Sequence, residues 1–298
     1  MMTGLPPIRS LLFAPANEPR KVAKLDGIGA DAVVLDLEDA VAREHKIAAR
    51  AMARDALAAI VRPVRCIRVN AWDTGLTPGD VAAIVCPMLD VIVLPKVETP
   101  RDLHRLDSAI TAALAGSDHP GPRVLALIET CAGVLAASEI ARASPRLAGL
   151  IFGAGDLGKD LGLPTLRGDI SAALAWGRAK IVYDARAAGL PGPIDGPCLA
   201  VRDQVAMELE ARAALALGHR GKVCIHPDQV AVANRVFSPD ADEVAFAKRL
   251  ISAFAEAEMR GSASITVEGV FVDYPIVEKA QALVRLAERS GSPGLDTA

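Results

Sequence analysis

Residues 123–157 read RVLALIETCAGVLAASEIARASPRLAGLIFGAGDL, and they show most clearly the pattern that the rest of the chain repeats. Two short apolar runs, at residues 124–128 and 150–152, flank a segment with the pattern of a helix. Runs that are short, branched and apolar throughout are typical of strands buried on both faces of a parallel sheet. Glu129 follows the first run, and a glycine-rich turn ending in Asp156 follows the second. The stretch therefore predicts a strand–helix–strand unit with a carboxylate after each strand.

The same alternation runs through most of the chain. The predicted strands are residues 10–14, 32–37, 65–69, 91–94, 124–128, 150–152, 192–195 and 222–225, and examples of the Ala-rich helical segments between them are 45–61, 100–114, 165–188 and 202–217. Eight strand–helix units in roughly 230 residues predict an α/β fold, a (β/α)₈ TIM barrel. A doubly wound open sheet is the alternative, but no GxGxxG loop follows the first strand.

A second pattern follows the eighth unit. A predicted helix at 240–259 precedes two short strands around a Glu268-Gly269 turn, and a final helix is predicted at 276–290. We therefore expect a TIM barrel catalytic domain at residues 1–236 and a C-terminal helix–hairpin–helix at 237–298. The latter would serve as a lid or an oligomerisation extension.

The composition excludes several classes of protein. The chain has 298 residues, is 51% hydrophobic and carries a net charge of −3, which argues against a nucleic-acid-binding protein. We expect no signal peptide and no membrane span. The five cysteines are scattered, without a CxxC pair, which is typical of reduced thiols in a cytoplasmic protein.

The carboxyl ends of all strands in a parallel barrel open onto one face, where catalytic residues lie. Glu129 and Asp156 would then face each other across adjacent strands. Two carboxylates so placed suit Mg²⁺ or Mn²⁺, which usually take one or two protein carboxylates together with water and substrate oxygens. The alternative is a pair of solvated carboxylates in loops.

Two cations also follow predicted strands. Arg68 ends an otherwise apolar strand, and a buried guanidinium needs a partner that accepts two parallel hydrogen bonds. That partner is either Glu129 or a carboxylate or thioester oxygen of a substrate. Lys96 either pairs with Glu38 or Glu98 or orients a substrate.

For the other acidic residues near predicted strand ends, the sequence leaves two roles open, one at the active site and one in helix capping. Asp36, Glu38 and Asp39 either hold metal-bound water or cap the next helix, and capping is the favoured role for Asp39. Asp273 lies beside Tyr274-Pro275, where the pattern alone favours a cap.

The chain resembles the citrate lyase β-subunit-like (CitE-like) proteins of the HpcH/HpaI aldolase family, CoA-ester lyase branch. The matching words are residues 9–16 (RSLLFAPA), 29–41 (GADAVVLDLEDAV) with Lys46 and Arg50 after it, 68–70 (RVN), 94–98 (LPKVE), 127–130 (LIET), 152–157 (FGAGDL), 225–227 (IHP) and 271–275 (FVDYP). Related hydroxy-oxo-acid aldolases have Glu-His-Gly after strand two and lack the hairpin. Both features favour the thioester lyase branch.

The resemblance implies a residue for each part of the reaction. Glu129 and Asp156 would bind Mg²⁺, with Mn²⁺ as an alternative, and Arg68 would hold the substrate. Asp273 would act as acid or base on the neighbouring subunit's site, so the resemblance implies a homotrimer or homohexamer that shares its lids. The family usually has Glu before the second metal ligand, where this chain has Gly155, which leaves the substrate preference open.

The implied reaction is cleavage or formation of a 3-hydroxyacyl thioester such as citramalyl-CoA, malyl-CoA or citryl-CoA. The products would be an oxo acid and an acetyl thioester. The carrier is either CoA or an acyl carrier protein, and Arg20, Lys21, Lys46 and Arg50 are candidates to bind the CoA phosphates. The alternatives are a class II pyruvate aldolase that needs no thioester and a non-catalytic citrate lyase subunit paralogue.

Overall fold

The computed structural model describes residues 5–164 and 170–289 in two units. The larger unit comprises Ile8–Arg235, and the smaller one comprises Leu5–Pro7 and residues 236–289. No helix in the described ranges is long and apolar enough to cross a membrane. None of the five cysteines is in a disulfide, and only Cys131 is partly exposed.

Eight parallel strands in the larger unit close into a barrel in chain order, so that the first strand also pairs with the eighth. They are β1 (Ser10–Pro15), β2 (Ala32–Asp36), β3 (Val64–Arg68), β4 (Val91–Leu94), β5 (Arg123–Ile128), β6 (Leu147–Phe152), β7 (Ile194–Asp195) and β8 (Gly221–Cys224). The predicted TIM barrel is confirmed, and each strand ends within about three residues of its predicted bounds.

Helices lie between the strands and after the last one. They are α1 (Pro19–Val22), α2 (Lys46–Ala56), α3 (Thr77–Ile84), α4 (Pro100–Ala113), α5 (Cys131–Ile140), α6 (Ala154–Asp160), α7 (Ser171–Ala187), α8 (Gln204–Leu217) and α9 (Pro227–Phe237). Short 3₁₀ turns occupy Leu25–Gly27, Arg43–His45, Leu57–Ala59 and Trp72–Thr74. Of the helix predicted at 165–188, residues 165–169 lie outside the described residues.

The strand register brings the functional residues to one rim of the barrel. All residues of β2 and β4 are buried, because each strand lies between the barrel interior and the helices outside. Asp36 is level with Arg68 across β2 and β3, and Ile128 is level with Phe152 across β5 and β6. The turns that follow these four strands therefore begin at the carboxyl-terminal rim.

The smaller unit is a helix, a hairpin and a helix. Its elements are α10 (Ala241–Met259), β9 (Ile265–Val267), β10 (Val270–Val272) and α11 (Tyr274–Arg289). Glu268 and Gly269 have φ angles of 50° and 84°, as a two-residue turn between twisted antiparallel strands requires. Phe254 and Val272 belong to its apolar core, and the ring of Tyr274 packs edge-on to Phe254 at 5.2 Å.

Candidate active site

Glu129 is fixed where β5 meets α5. The residue follows the strand directly, and Thr130 caps α5 by accepting a hydrogen bond from the Gly133 amide at 3.0 Å. A side chain on Gly153 would overlap the Cβ atom of Glu129 and lie 2.7 Å from its Oε2. Glycine after β6 therefore leaves room for the carboxylate of Glu129, whose residue is only 4% exposed.

Glu129 lies among other carboxylates. Burial, followed by the negative charges of Glu38 and Asp156, raises its pKa to about 8, against the opposing effects of the Lys96 amide and the charge of Arg68. Asp156 lies in the first turn of α6 with its side chain 31% exposed. The charge of Asp156 acts on Glu129, and the pairing of these two carboxylates around a metal remains a prediction.

Glu38 is the third carboxylate of this group. Its side chain is 5% exposed, and burial raises its pKa. Arg68 Nη1 lies 2.9 Å from Glu38 Oε2, but this buried oxygen accepts no hydrogen bond of good geometry in the described part of the chain. A buried anionic oxygen in this condition is a candidate ligand for a cation or its bound water.

Arg68 is held by neighbouring acids. Its Nε donates to Asp36 Oδ1 at 2.7 Å and its Nη2 to Asp36 Oδ2 at 2.6 Å, while the guanidinium lies 5.2 Å from the Phe13 ring centre. The protein partner is therefore Asp36, not Glu129, because the β2–β3 register puts Asp36 directly beside Arg68. Burial lowers the pKa of Arg68, but Asp36, together with the charges of Glu38 and Asp39, more than compensates, so the pKa lies above the ordinary value.

Asp39 does not cap the next helix, so that prediction is wrong. Its side chain is 60% exposed and lies 3.5 Å from Arg68 Nη1. Asp36 closes this turn instead, since it accepts from the amides of Glu38 and Ala40 at 2.9 and 3.0 Å. The next α-helix begins only at Lys46.

Lys96 contacts these carboxylates through both its main-chain amide and its side-chain ammonium group. Its main-chain amide donates to Glu129 Oε1 at 3.0 Å, and its Nζ donates to Glu38 Oε1 at 3.1 Å. Nζ also lies 4.0 Å from Asp156 Oδ2. Of the two protein partners that the sequence offered for Lys96, the structure therefore has Glu38.

The charges at this rim do not balance. Four carboxylates, each at most about a third exposed, face two cations; the acids are Asp36, Glu38, Glu129 and Asp156, and the cations are Arg68 and Lys96. When all four carboxylates are ionised, the excess of two negative charges equals the charge of one divalent cation. Such hard oxygen donors suit Mg²⁺.

The protein ligand set for such an ion is small. Within residues 5–164 and 170–289, no three Asp, Glu, His or Cys side chains are grouped closely enough to hold a metal by themselves. This agrees with Mg²⁺ coordination, because Mg²⁺ is commonly bound through one or two carboxylates and completes its shell with water and substrate oxygens. The buried Glu38 Oε2, which accepts no hydrogen bond of good geometry in the described residues, and the predominance of carboxylates therefore fit a magnesium ion.

Asp273 lies in the smaller unit, between β10 and α11. Its Oδ1 accepts from the Ile276 amide at 3.3 Å and its carbonyl oxygen from the Val277 amide at 3.0 Å. The residue is half-buried. It therefore makes the capping contacts that the pattern alone favoured, and its catalytic role remains a prediction.

The four side chains considered as ligands of the CoA phosphates differ in their contacts and exposure. Arg50 donates to the fully buried Asp80 at 2.7 Å, and Lys46 Nζ donates to the carbonyls of Leu37 and Glu38. These two side chains hold the barrel rim together. Lys21 pairs with the exposed Glu18, so it remains accessible to a phosphate, as does the exposed Arg20.

The sequence placed Asp36 and Glu38 near the site and offered Glu38 as a partner of Lys96, but it assigned no partner to Asp36. The position of Asp36 was informative, since it lies at the end of the strand adjacent to the one that ends in Arg68. Only the register of β2 against β3 shows that Asp36 meets the guanidinium.

Comparison with known proteins shows the family to which the chain belongs. Residues 9–227 match the family model described as HpcH/HpaI aldolase/citrate lyase. A (3S)-malyl-CoA thioesterase of Cereibacter sphaeroides is 38% identical over 284 residues, covering 95% of each chain. A citrate lyase subunit beta of Leuconostoc mesenteroides subsp. cremoris is 35% identical and covers 94% of this chain and 93% of its own.

A solved structure is similar over nearly the whole chain. It is CitE from Mycobacterium tuberculosis in complex with magnesium, acetoacetate and coenzyme A. The two chains are 31% identical, with a TM-score of 0.76, and the match covers 97% of this chain and 100% of the other.

Proposed function

Because the chain belongs to the HpcH/HpaI aldolase/citrate lyase family, we propose that it is a magnesium-dependent lyase of 3-hydroxyacyl-CoA thioesters. By class it is an oxo-acid lyase similar to citrate lyase β subunits. The observation that carries the proposal is the group of Glu38, Glu129 and Asp156 at the barrel rim, with negative charge that two cations do not balance.

Glu129 and Asp156 are the proposed protein ligands of Mg²⁺. Once bound, the ion would act as a Lewis acid on the 3-hydroxyl oxygen, which becomes the carbonyl oxygen of the oxo acid. The related CitE structure contains magnesium and coenzyme A, which supports this choice of metal and carrier.

The chain's own side chains would then guide the reaction. Arg68 binds a substrate carboxylate or thioester oxygen with Nη1, because Asp36 fixes its other two donor groups. A base removes the proton of the 3-hydroxyl group and the C2–C3 bond breaks, which gives the oxo acid and the enolate of the acetyl thioester. Asp273 donates a proton to the enolate carbon, and in the synthetic direction it removes that proton from the methyl group.

Hydrolysis of the thioester is a second candidate function. The relative that is 38% identical is named a (3S)-malyl-CoA thioesterase. Lysis releases an oxo acid and acetyl-CoA, whereas hydrolysis releases free CoA and the intact hydroxy acid. The two products therefore distinguish the reactions.

A small panel of thioesters tests the proposal. (S)-Malyl-CoA, β-methylmalyl-CoA, (S)-citramalyl-CoA and citryl-CoA would each be incubated with Mg²⁺ or with a chelator. We expect Mg²⁺-dependent release of an oxo acid together with acetyl-CoA, or with propionyl-CoA from the methylated ester. Free CoA without an oxo acid would favour hydrolysis, and no turnover of any ester would contradict the use of CoA as carrier.

A further inference from the structure

Lys96 adopts a backbone conformation that is unfavourable for lysine. Its φ angle is 50°, and within residues 5–164 and 170–289 only Glu268, in the hairpin turn, is another non-glycine residue with positive φ. Lys96 follows β4 after a single proline, and the next amide, that of Val97, returns to the barrel by donating to the Leu127 carbonyl at 3.2 Å. The surrounding structure therefore imposes the left-handed conformation.

This conformation lets one residue reach all three carboxylates. The amide of Lys96 turns toward Glu129, while the side chain extends to Glu38 and stops 4.0 Å from Asp156. The two attachments differ in kind. The amide contact does not depend on the side chain, whereas the ammonium group is 33% exposed and could move.

We propose that Lys96 is the counter-cation of the three carboxylates in the metal-free protein and competes with the divalent metal for them. In the metal-free protein its ammonium group balances Glu38 and Asp156. When Glu129 and Asp156 hold a divalent cation, the ammonium group would leave Asp156, while the amide of Lys96 would continue to orient Glu129. The inference rests on the proposed function, because it assumes that these carboxylates bind a metal.

The arrangement of Arg68 supports displacement. Glu38 keeps a positive neighbour when the lysine moves, since Arg68 Nη1 lies 2.9 Å from its Oε2. The freed ammonium group is then available to an anionic substrate, so metal would bind before substrate. Lys96 is thus a positioning residue for the metal site through its amide and a competitor through its side chain.

Metal affinity tests the inference directly. Lys96→Met keeps the amide and most of the side-chain length but removes the charge, and Lys96→Gly keeps the amide and suits the positive φ. Displacing the ammonium group from a carboxylate oxygen 4.0 Å away weakens metal binding at least about fivefold, even at the dielectric constant of water. Both variants should therefore bind Mn²⁺ and Mg²⁺ at least about fivefold more tightly in calorimetric titrations.

Lys159→Met is the matched control, because Lys159 is an exposed lysine three residues beyond Asp156 on α6. Its affinity should stay within about twofold of wild type, since exposed charges are screened. A purely structural role predicts the opposite sign, because losing the ammonium group would loosen the carboxylates. Unchanged or weaker binding in both Lys96 variants would overturn the inference alone, whereas a wild-type protein that binds neither metal would overturn the proposed function as well.

Discussion

Arg68 is bound to Asp36 through two parallel hydrogen bonds, and both side chains are largely buried. A buried ion pair of this kind stabilises the folded protein little more than well-packed apolar residues would. Removing one partner, however, leaves an uncompensated buried charge and is strongly destabilising. The pair therefore matters chiefly because it fixes the direction of the remaining guanidinium nitrogen, Nη1.

Replacing Asp36 should destabilise the protein far more than replacing Asp39. Asp36→Asn leaves Arg68 buried with a weakened partner, and we expect a loss of about 3 kcal/mol in the free energy of unfolding. Asp39→Asn is the control, since its side chain is 60% exposed and 3.5 Å from the guanidinium, and it should cost under about 0.5 kcal/mol. Urea denaturation measures both, and equal effects would contradict the assignment of Asp36 as the main partner.

Two glycines in the turn after β6 should respond oppositely to alanine. Gly153→Ala places a methyl group against Glu129, so we expect a loss of about 1–3 kcal/mol in stability and of Mg²⁺ binding. Gly155→Ala meets no atom within 4 Å, so stability and Mg²⁺ affinity should be maintained. Thermal unfolding and metal titration distinguish the two, and Mg²⁺ binding by Gly153→Ala at wild-type affinity would contradict the account.

The residues at the site differ in how readily sequence predicts them. Glu129 and Asp156 are found from strand ends alone, because carboxyl-terminal strand ends converge in any parallel barrel. The partner of Arg68 is not found this way, because it depends on the register between two strands. The positive φ of Lys96 also has no sequence signal, since lysine rarely adopts it.

β7 and β8 carry a buried charge network on the opposite side of the barrel from β3 and β4. Lys222 of β8 donates to Asp195 of β7 at 2.7 Å, and Arg178 of α7 donates to the same carboxylate at 2.8 Å. Burial alone would raise the pKa of Asp195, but Lys222 and Arg178 lower it below the ordinary value. These ion pairs connect α7 to the short strand β7, which has only two residues.

His219, just before β8, should make stability depend on pH. Burial lowers its pKa, and the charge of Asp195 opposes this only in part. The folded state then binds fewer protons than the unfolded state below about pH 6.5, so the free energy of unfolding falls as pH drops below that value. His219→Gln should reduce the stability difference between about pH 7.5 and 5.5 in urea titrations, and an unchanged difference would contradict this.

Element boundaries were predicted less well than element types. The strand predicted at 192–195 begins only at Ile194, because Pro193 has no amide to donate to a neighbouring strand. The last helix begins at Tyr274, two residues before its predicted start, because Asp273 caps it. Helix capping and the missing proline amide determine these boundaries, whereas the hydrophobic pattern was enough to predict whether each element is a helix or a strand.

The proposed reaction involves residues of both units, the metal ligands from the barrel and Asp273 from the helix–hairpin–helix. We expect the protein to be a homotrimer or homohexamer in which Asp273 acts on a neighbouring chain's substrate. Sequence predicted both units from their patterns. It could not predict how the chains assemble, because that depends on surface complementarity.

Mixed oligomers test this expectation. Glu129→Gln and Asp273→Asn should each be inactive alone, the first without metal and the second with metal affinity intact. Co-expression should restore part of the activity, because some sites would combine an intact Glu129 with a neighbour's intact Asp273. Absence of restored turnover in oligomers shown to contain both variants would contradict action between chains.

Cleavage is proposed to depend on a metal ion that Glu129 and Asp156 bind. The most direct test of this dependence is acetyl-CoA release from the best ester of the panel by wild type, Glu129→Gln, Asp156→Asn and the exposed control Glu98→Gln. We predict Mg²⁺-dependent turnover by wild type and Glu98→Gln, and a loss of at least about 100-fold in the other two. Turnover that persists in chelator, or in either metal-ligand variant, would contradict the account.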